Sequence, residues 1–299
     1  MGSSCKDPSY FAESRRKNRV TGYIPVCFFN MNKGSKMQRK YCFHFLLSLS
    51  VCCLLFFSGC GLDEYYMVEA PYNVRNQPTY DTSDYAQRYF DFYTNDSGQT
   101  ASSEFDYLGT AVYYKIFNNY STMATAYSAI TSLNSSTTYS AAADKMIETY
   151  SYKELSYYDT SSGTVKTPSP FLPDAGGNKR VYIRLMNYQD GKYTAKIIIG
   201  WDGNTDSLST AAALIPRRNI SDKYTFDFGR TISDPDYSKV PKEGDADVNY
   251  SSSFSDDDKK VWYIDLFAVA VGRDTTYTKY YSHVLHLGSV PISSALEDN

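Results

Sequence analysis

The chain has 299 residues, 42% of them apolar, with 30 Lys and Arg against 33 Asp and Glu, which is room for one large domain or one domain with an insertion. From Cys60 onward the balance is 21 basic to 31 acidic side chains, a net of −10, which argues against nucleic acid and against electrostatic docking on anionic lipid. All six cysteines lie at or before Cys60, so the body has neither disulfide nor thiol chemistry and must be held by its core.

Residues 1–36 are basic and lack hydrophobic periodicity, which marks them as an upstream extension. Met1-Gly2 opens like a myristoylation start, but Lys6 stands where Ser or Thr is wanted. Met37-Gln38-Arg39-Lys40 supplies a basic segment, and 41–57 an apolar core too short for a comfortable membrane span. Ser58-Gly59-Cys60 follows as a small-small-Cys cleavage site. The stretch 37–59 resembles a bacterial lipoprotein signal peptide, departing at Phe57, where Leu is common. Spirochaete lipoproteins tolerate such looser signals. The resemblance implies that Cys60 is the lipid attachment site, palmitate among its acyl chains, with several chains giving stable anchoring. Gly61, in place of an inner-membrane Asp, implies passage to the outer membrane.

Residues 60–82 are polar, with Pro71 and Pro78 and neither strand nor helix period, and read as a tether. The folded domain is expected over 83–293, with a tail at 294–299. Its first strand is 88–93, rich in aromatics and closed by the turn residues Asn95 to Gly98. A second strand is expected over 110–117, since stiff β-branched and aromatic side chains suit a pleated surface. A helical insertion at about 121–155 holds two helices. The first, 122–133 capped by Ser121, has Met123, Tyr127, Ile130 and Leu133 on one side; the second, 140–150, carries the stripe Ala142, Met146, Ile147 and Tyr150.

The stretch 159–179 is rich in Ser, Thr, Pro and Gly and reads as a loop. Strands at 180–187 and 192–201 flank Asp190-Gly191, a strong hairpin signal. A short strand at 224–228 precedes a polar excursion over 231–260. Strands at 261–272 and 277–287 come last, and Pro291 is expected to end regular structure. The fold class is mainly β, an elaborated antiparallel β-sandwich with a helical insertion; α+β is the alternative.

Two stretches resemble fibronectin type III or immunoglobulin-like sandwiches. Leu108-Gly109-Thr110-Ala111-Val112-Tyr113-Tyr114-Lys115-Ile116 is similar to the third strand of such domains. Leu266 to Gly272 followed by Tyr281 to Gly288 is similar to the final hairpin. The chain is about twice the size of one such sandwich. Together with the signal, this resembles treponeme-type lipoproteins.

Few residues point to chemistry. His283 and His286 are the histidines downstream of Cys60; on a strand they face opposite ways, and no third ligand accompanies them, so no metal is expected. Asp202-Gly203-Asn204-Thr205-Asp206 begins like a calcium loop, but Ala213 occupies the closing position, and a turn is the simpler reading. Asp256-Asp257-Asp258 reads as a solvated loop. No G-x-S-x-G elbow occurs, and no carboxylate pair stands out for glycoside hydrolysis. Tyrosine is the anomaly: 27 of the 30 lie downstream of Cys60, several as adjacent pairs such as Tyr113-Tyr114, Tyr157-Tyr158 and Tyr280-Tyr281, each able to place one ring in the core and one outside.

These residues favour a lipid-anchored cell-envelope protein acting as a non-enzymatic binding or scaffold module without cofactor, its partners being the membrane and a protein or glycan. The alternative is a carbohydrate-binding or carbohydrate-active lipoprotein, which predicts an aromatic-lined cleft with two facing carboxylates.

Overall fold

The computed structural model describes residues 66–99, 102–189, 192–204, 214–220, 228, 241–252 and 261–293. The chain divides into two units, Met1–Asp63 and Glu64–Asn299, and every described residue belongs to the second. The signal segment, Cys60, Asp190-Gly191, Asp206, residues 224–227, Asp256-Asp257-Asp258 and the tail 294–299 lie outside the described residues.

The body is mainly β, two antiparallel sheets with a helical insertion. Its spine is two long strands, β3 (Phe105–Phe117) and β12 (Val261–Asp274), paired antiparallel from Tyr263 opposite Phe117 to Asp274 opposite Phe105. Both are apolar on both faces, the pattern of strands covered on each side. Val112, Tyr114 and Ile116 of β3, with Ile264, Leu266 and Ala268 of β12, face the second sheet. The alternate residues Ala111, Tyr113 and Phe117, with Phe267, Val269 and Val271, face the helices. Short strands extend this sheet. β4 (Lys153–Glu154), β7 (Leu172–Pro173) and the parallel β11 (Val248–Asn249) pair with β3; β13 (Lys279–Tyr281) and β14 (Leu285–Ser293) pair with β12.

The second sheet runs β1 (Tyr72–Asn76), β2 (Phe90–Tyr93), β8 (Arg180–Arg184), β9 (Lys196–Ile199), β10 (Leu214–Arg217), β5 (Ser156–Asp159) and β6 (Thr164–Lys166). Phe90, Phe92, Val181, Ile183 and Ile197 fill the space between the sheets. On the far side of the first sheet lie helix α1 (Tyr120–Thr131), burying Met123, Ala126 and Ile130, and helix α2 (Ala141–Asp144), which passes into a π turn over Lys145–Thr149 and buries Ala142, Ala143 and Met146. The order is therefore sheet, sheet, helices.

Several expectations need correction. Residues from Tyr66 onward are not a free tether: Tyr66 stacks on Phe105, Val68 is fully buried, β1 pairs with β2, and the Pro78 carbonyl accepts from the Ser289 amide. The α1 cap is Asn119, whose side chain accepts from the amides of Ser121 and Thr122, rather than Ser121. The stretch 159–179 contains β6 and β7. β10 was not foreseen. Pro291 sits within β14, opposite Tyr263; the Ser289 amide two residues earlier points away from β12 to the Pro78 carbonyl, so the Pro291 nitrogen also faces away from β12 and no ladder bond is lost. Tyr113 and Tyr114 are both buried, because β3 has protein on each side.

Candidate functional site

The outer face of the second sheet carries the side chains that β2, β8 and β9 do not send inward. Alternation along β8 puts Val181 and Ile183 into the core and Arg180, Tyr182 and Arg184 outside. Register then fixes their neighbours. Asp91 of β2 lies opposite Tyr182, and Lys196 of β9 lies directly opposite Arg184. Trp201 follows β9. Its indole N–H donates to the Asn204 carbonyl (2.9 Å), and its ring packs edge-on to Tyr182, 5.0 Å between centroids. Tyr89, just before β2, stacks on Tyr182 at 4.9 Å.

These groups line a groove of about 570 Å³, within the range of small-molecule sites. Its rings are Tyr89, Tyr182, Tyr193 and Trp201, and its cations are Arg184, Lys192 and Lys196; no carboxylate lines it among the described residues. The two facing carboxylates expected of a paired-acid hydrolase are thus not in this lining. Asp91, on the same face opposite Tyr182, is engaged by Arg180, which donates from Nε (2.9 Å) and Nη2 (2.6 Å) to its two oxygens. The same Arg180 guanidinium lies 4.4 Å above the Trp201 ring. Asp91, Arg180 and Trp201 thus make a braced wall.

Arg184 and Lys196 are the unusual members. They are only 5% and 8% exposed, and like charges directly opposite on a sheet repel. Arg184 lies between the faces of Tyr89, Tyr182 and Tyr193, 5.0 to 5.6 Å away, and donates from Nη2 to the Ala86 carbonyl at 2.8 Å. Its Nε is buried with no hydrogen-bond partner. Burial holds the Lys196 ammonium below the usual lysine range and raises the phenols of Tyr182 and Tyr89, so these phenols stay neutral donors.

The residues singled out from sequence lie elsewhere. His286 Nε2 is 2.7 Å from Asp265 Oδ1, whose other oxygen accepts from the Tyr152 hydroxyl (2.7 Å); His286 Nδ1 is 3.2 Å from Gln77 Nε2. Both ring nitrogens are thereby occupied. His283 does not face away from it as a continuous strand would require. The chain leaves the strand between β13 and β14, and both rings meet the helical side, His283 stacked on Tyr139 and His286 tilted against Tyr127. Among the described residues no group of three His, Cys, Asp or Glu side chains gathers as a metal site. Asp202 and Asn204 form a turn, the Asp202 carboxylate accepting from the Asn204 amide (2.8 Å) around Gly203 at φ +90°. A Cβ at Gly203 would strike the Arg180 guanidinium, so this glycine gives the groove wall its room.

Comparison with family models, with curated proteins and with solved structures finds no match to this chain.

Proposed function

We propose that this chain is a lipid-anchored protein of the bacterial cell envelope, held to the outer membrane through Cys60, whose immunoglobulin- or fibronectin-like sandwich acts as a non-enzymatic saccharide-binding module. The observation that carries the reading is the groove on the outer face of the second sheet, where Tyr89, Tyr182, Tyr193 and Trp201 converge. Aromatic rings offer rigid apolar faces for the C–H faces of a sugar, and phenol and indole tips add hydrogen bonds at low entropic cost. Its concavity fits a small ligand better than a flat protein partner.

Trp201 supplies the test. The chain has two tryptophans, and the other, Trp262, lies on β12. In the full chain in detergent, with Trp262→Phe, the emission of Trp201 is titrated with a panel of oligosaccharides. Saturable change with at least one sugar, abolished by Tyr182→Ala, is expected; no response across the panel sinks the reading.

A further inference from the structure

Resting on Cys60 as the lipid attachment site, we infer that the body meets the bilayer end-on, through the end of the first sheet that carries Met67, Phe105 and Tyr277. The length of free chain sets the reach. Six residues, Cys60 to Tyr65, lie ahead of Tyr66, and a fully extended chain covers about 3.5 Å per residue, about 20 Å in all. Tyr66 does not lengthen that tether: its ring stacks on Phe105 at 4.8 Å and meets Tyr280 edge-on at 5.4 Å, and Val68 behind it is fully buried. Phe105 opens β3 and lies opposite Asp274, the last residue of β12. The chain therefore enters the body at one end of its two longest strands. β3 runs 13 residues, about 40 Å of strand and about twice the reach of the tether. Its other end, where Phe117 pairs with Asn249, stays clear of the lipid when the body stands on this one.

The surface at the entry suits a lipid interface. Met67 at 59% and Tyr277 at 75% are the two most exposed large hydrophobic side chains among the described residues, and none of the others passes 42%. Met67 adjoins Tyr66, and Tyr277 sits in the turn between β12 and β13, just ahead of Tyr280. Tyr277 is held at φ +66°, a conformation that favours Gly or Asn, so an aromatic is kept there at a cost. A ring with an apolar body and a hydroxyl tip settles readily at the level of lipid headgroups. Charge does not draw the body down: Glu104, Asp106 and Asp274 stand at this end against Arg273 and Lys279, and Arg273 is paired with Asp106 at 3.3 Å. The partner is therefore a zwitterionic lipid surface, met by apolar side chains.

The test uses the acylated protein made from the full chain in a bacterial host and reconstituted into phosphatidylcholine vesicles that contain a doxyl-labelled lipid as quencher. No cysteine lies downstream of Cys60, so Tyr277→Cys, Met67→Cys and Tyr250→Cys each take one environment-sensitive fluorophore. All three positions are exposed, and Tyr250 follows β11 at the far end of β3. Emission is expected to be lost to the quencher in the Tyr277→Cys and Met67→Cys proteins and kept in Tyr250→Cys, alike in low and high salt. Quenching as strong in Tyr250→Cys as in Tyr277→Cys overturns the end-on contact. Quenching in none of the three, in vesicles that still carry the protein, also overturns it while leaving the anchor standing. Loss of the Tyr277→Cys quenching at high salt makes the contact electrostatic and overturns the apolar one. Protein that fails to float with the vesicles removes the Cys60 anchor, and this inference falls with it.

Discussion

Arg218 and Asp247 form a fully buried ion pair between the two sheets, Nε to Oδ2 at 2.9 Å and Nη2 to Oδ1 at 2.7 Å, with both side chains at zero exposure. Arg218 follows β10 of one sheet, and the Tyr114 hydroxyl of β3 in the other donates to the same carboxylate at 2.8 Å. Nη2 of Arg218 also reaches Asp245 (2.7 Å), and the Asn219 amide donates to the Tyr114 oxygen (2.6 Å). These buried polar atoms therefore satisfy one another. Removing one member is the costly change, because it strands a charge. Arg218→Met should lose about 3–5 kcal/mol in urea unfolding, and Arg218→Met with Asp247→Leu should recover most of that. Equal losses for the single and double variants would show that the pair's geometry, not an uncompensated charge, sets the cost.

Glu154 on β4 should give the protein a pH-dependent stability. Burial pushes its carboxyl up to about 6 from 4.5, against an opposing pull from Lys279, and its Oε1 is a buried acceptor without a partner. The sign follows: the folded state holds its proton more tightly than the unfolded one, so its contribution is full below pH 4.5 and is lost as pH rises through about 6. Glu154→Gln should therefore be the more stable protein at neutral pH, by about 1–2 kcal/mol given the residue's partial exposure, and the difference should vanish at pH 4. A difference independent of pH would rule this out.

The long strands β3 and β12 were legible because continuous apolar runs with a period of two in their partners state that both faces are covered. The stripe Met123, Ile130 and Met146 likewise announced the helical layer. Several short strands were not, β10 and β1 among them. β10 reads Leu-Ile-Pro-Arg, and proline argues against a strand between two others; it is accommodated because β10 meets β9 only at Leu214 opposite Ile197, away from Pro216. β1 reads Tyr-Asn-Val-Arg-Asn, too polar to signal a strand on its own. The groove was illegible for a different reason. Tyr89, Tyr182 and Trp201 meet through strand register across more than a hundred residues, and register is not written in local composition. The one available cue was Arg180-x-Tyr182-x-Arg184 alternating with Val181 and Ile183, an outward face too charged and aromatic for mere solvation.

Gly109 holds β3 against β7. Its φ is +134°, and it sits where the β3–β12 ladder shifts register, Val271 pairing with Gly109 and Gly272 with Tyr107. A Cβ there would collide with the Leu172 carbonyl, a backbone atom that cannot step aside. Gly109→Ala should cost more than the ~1 kcal/mol of a simple conformational penalty. A thermal midpoint within a degree or two of the parent would show that β7 yields instead.

Lipid attachment is tested at its own residue. Cys60→Ala should abolish incorporation of labelled palmitate and move the chain from the membrane to the soluble fraction, since one residue carries every acyl chain in this reading. Unchanged membrane attachment would refute the anchor while leaving the groove untouched.

Asp91 should control the groove without entering it. Its carboxylate takes both bonds from Arg180, whose guanidinium caps the Trp201 ring, and Asp91 is itself 2% exposed. Asp91→Asn keeps the shape but can accept only one of the two bonds and leaves the half-buried Arg180 without its counter-charge. Arg180 then has reason to swing outward, uncovering Trp201 and adding a competing positive charge beside Arg184. Two effects should appear together: a red shift of Trp201 emission in the Trp262→Phe background, from greater exposure to water, and a loss of about 2–5 kcal/mol in stability. If Trp201 emission stays fixed while stability falls, the brace is structural only, and the wall of the groove owes its place to the Trp201 indole bond to Asn204.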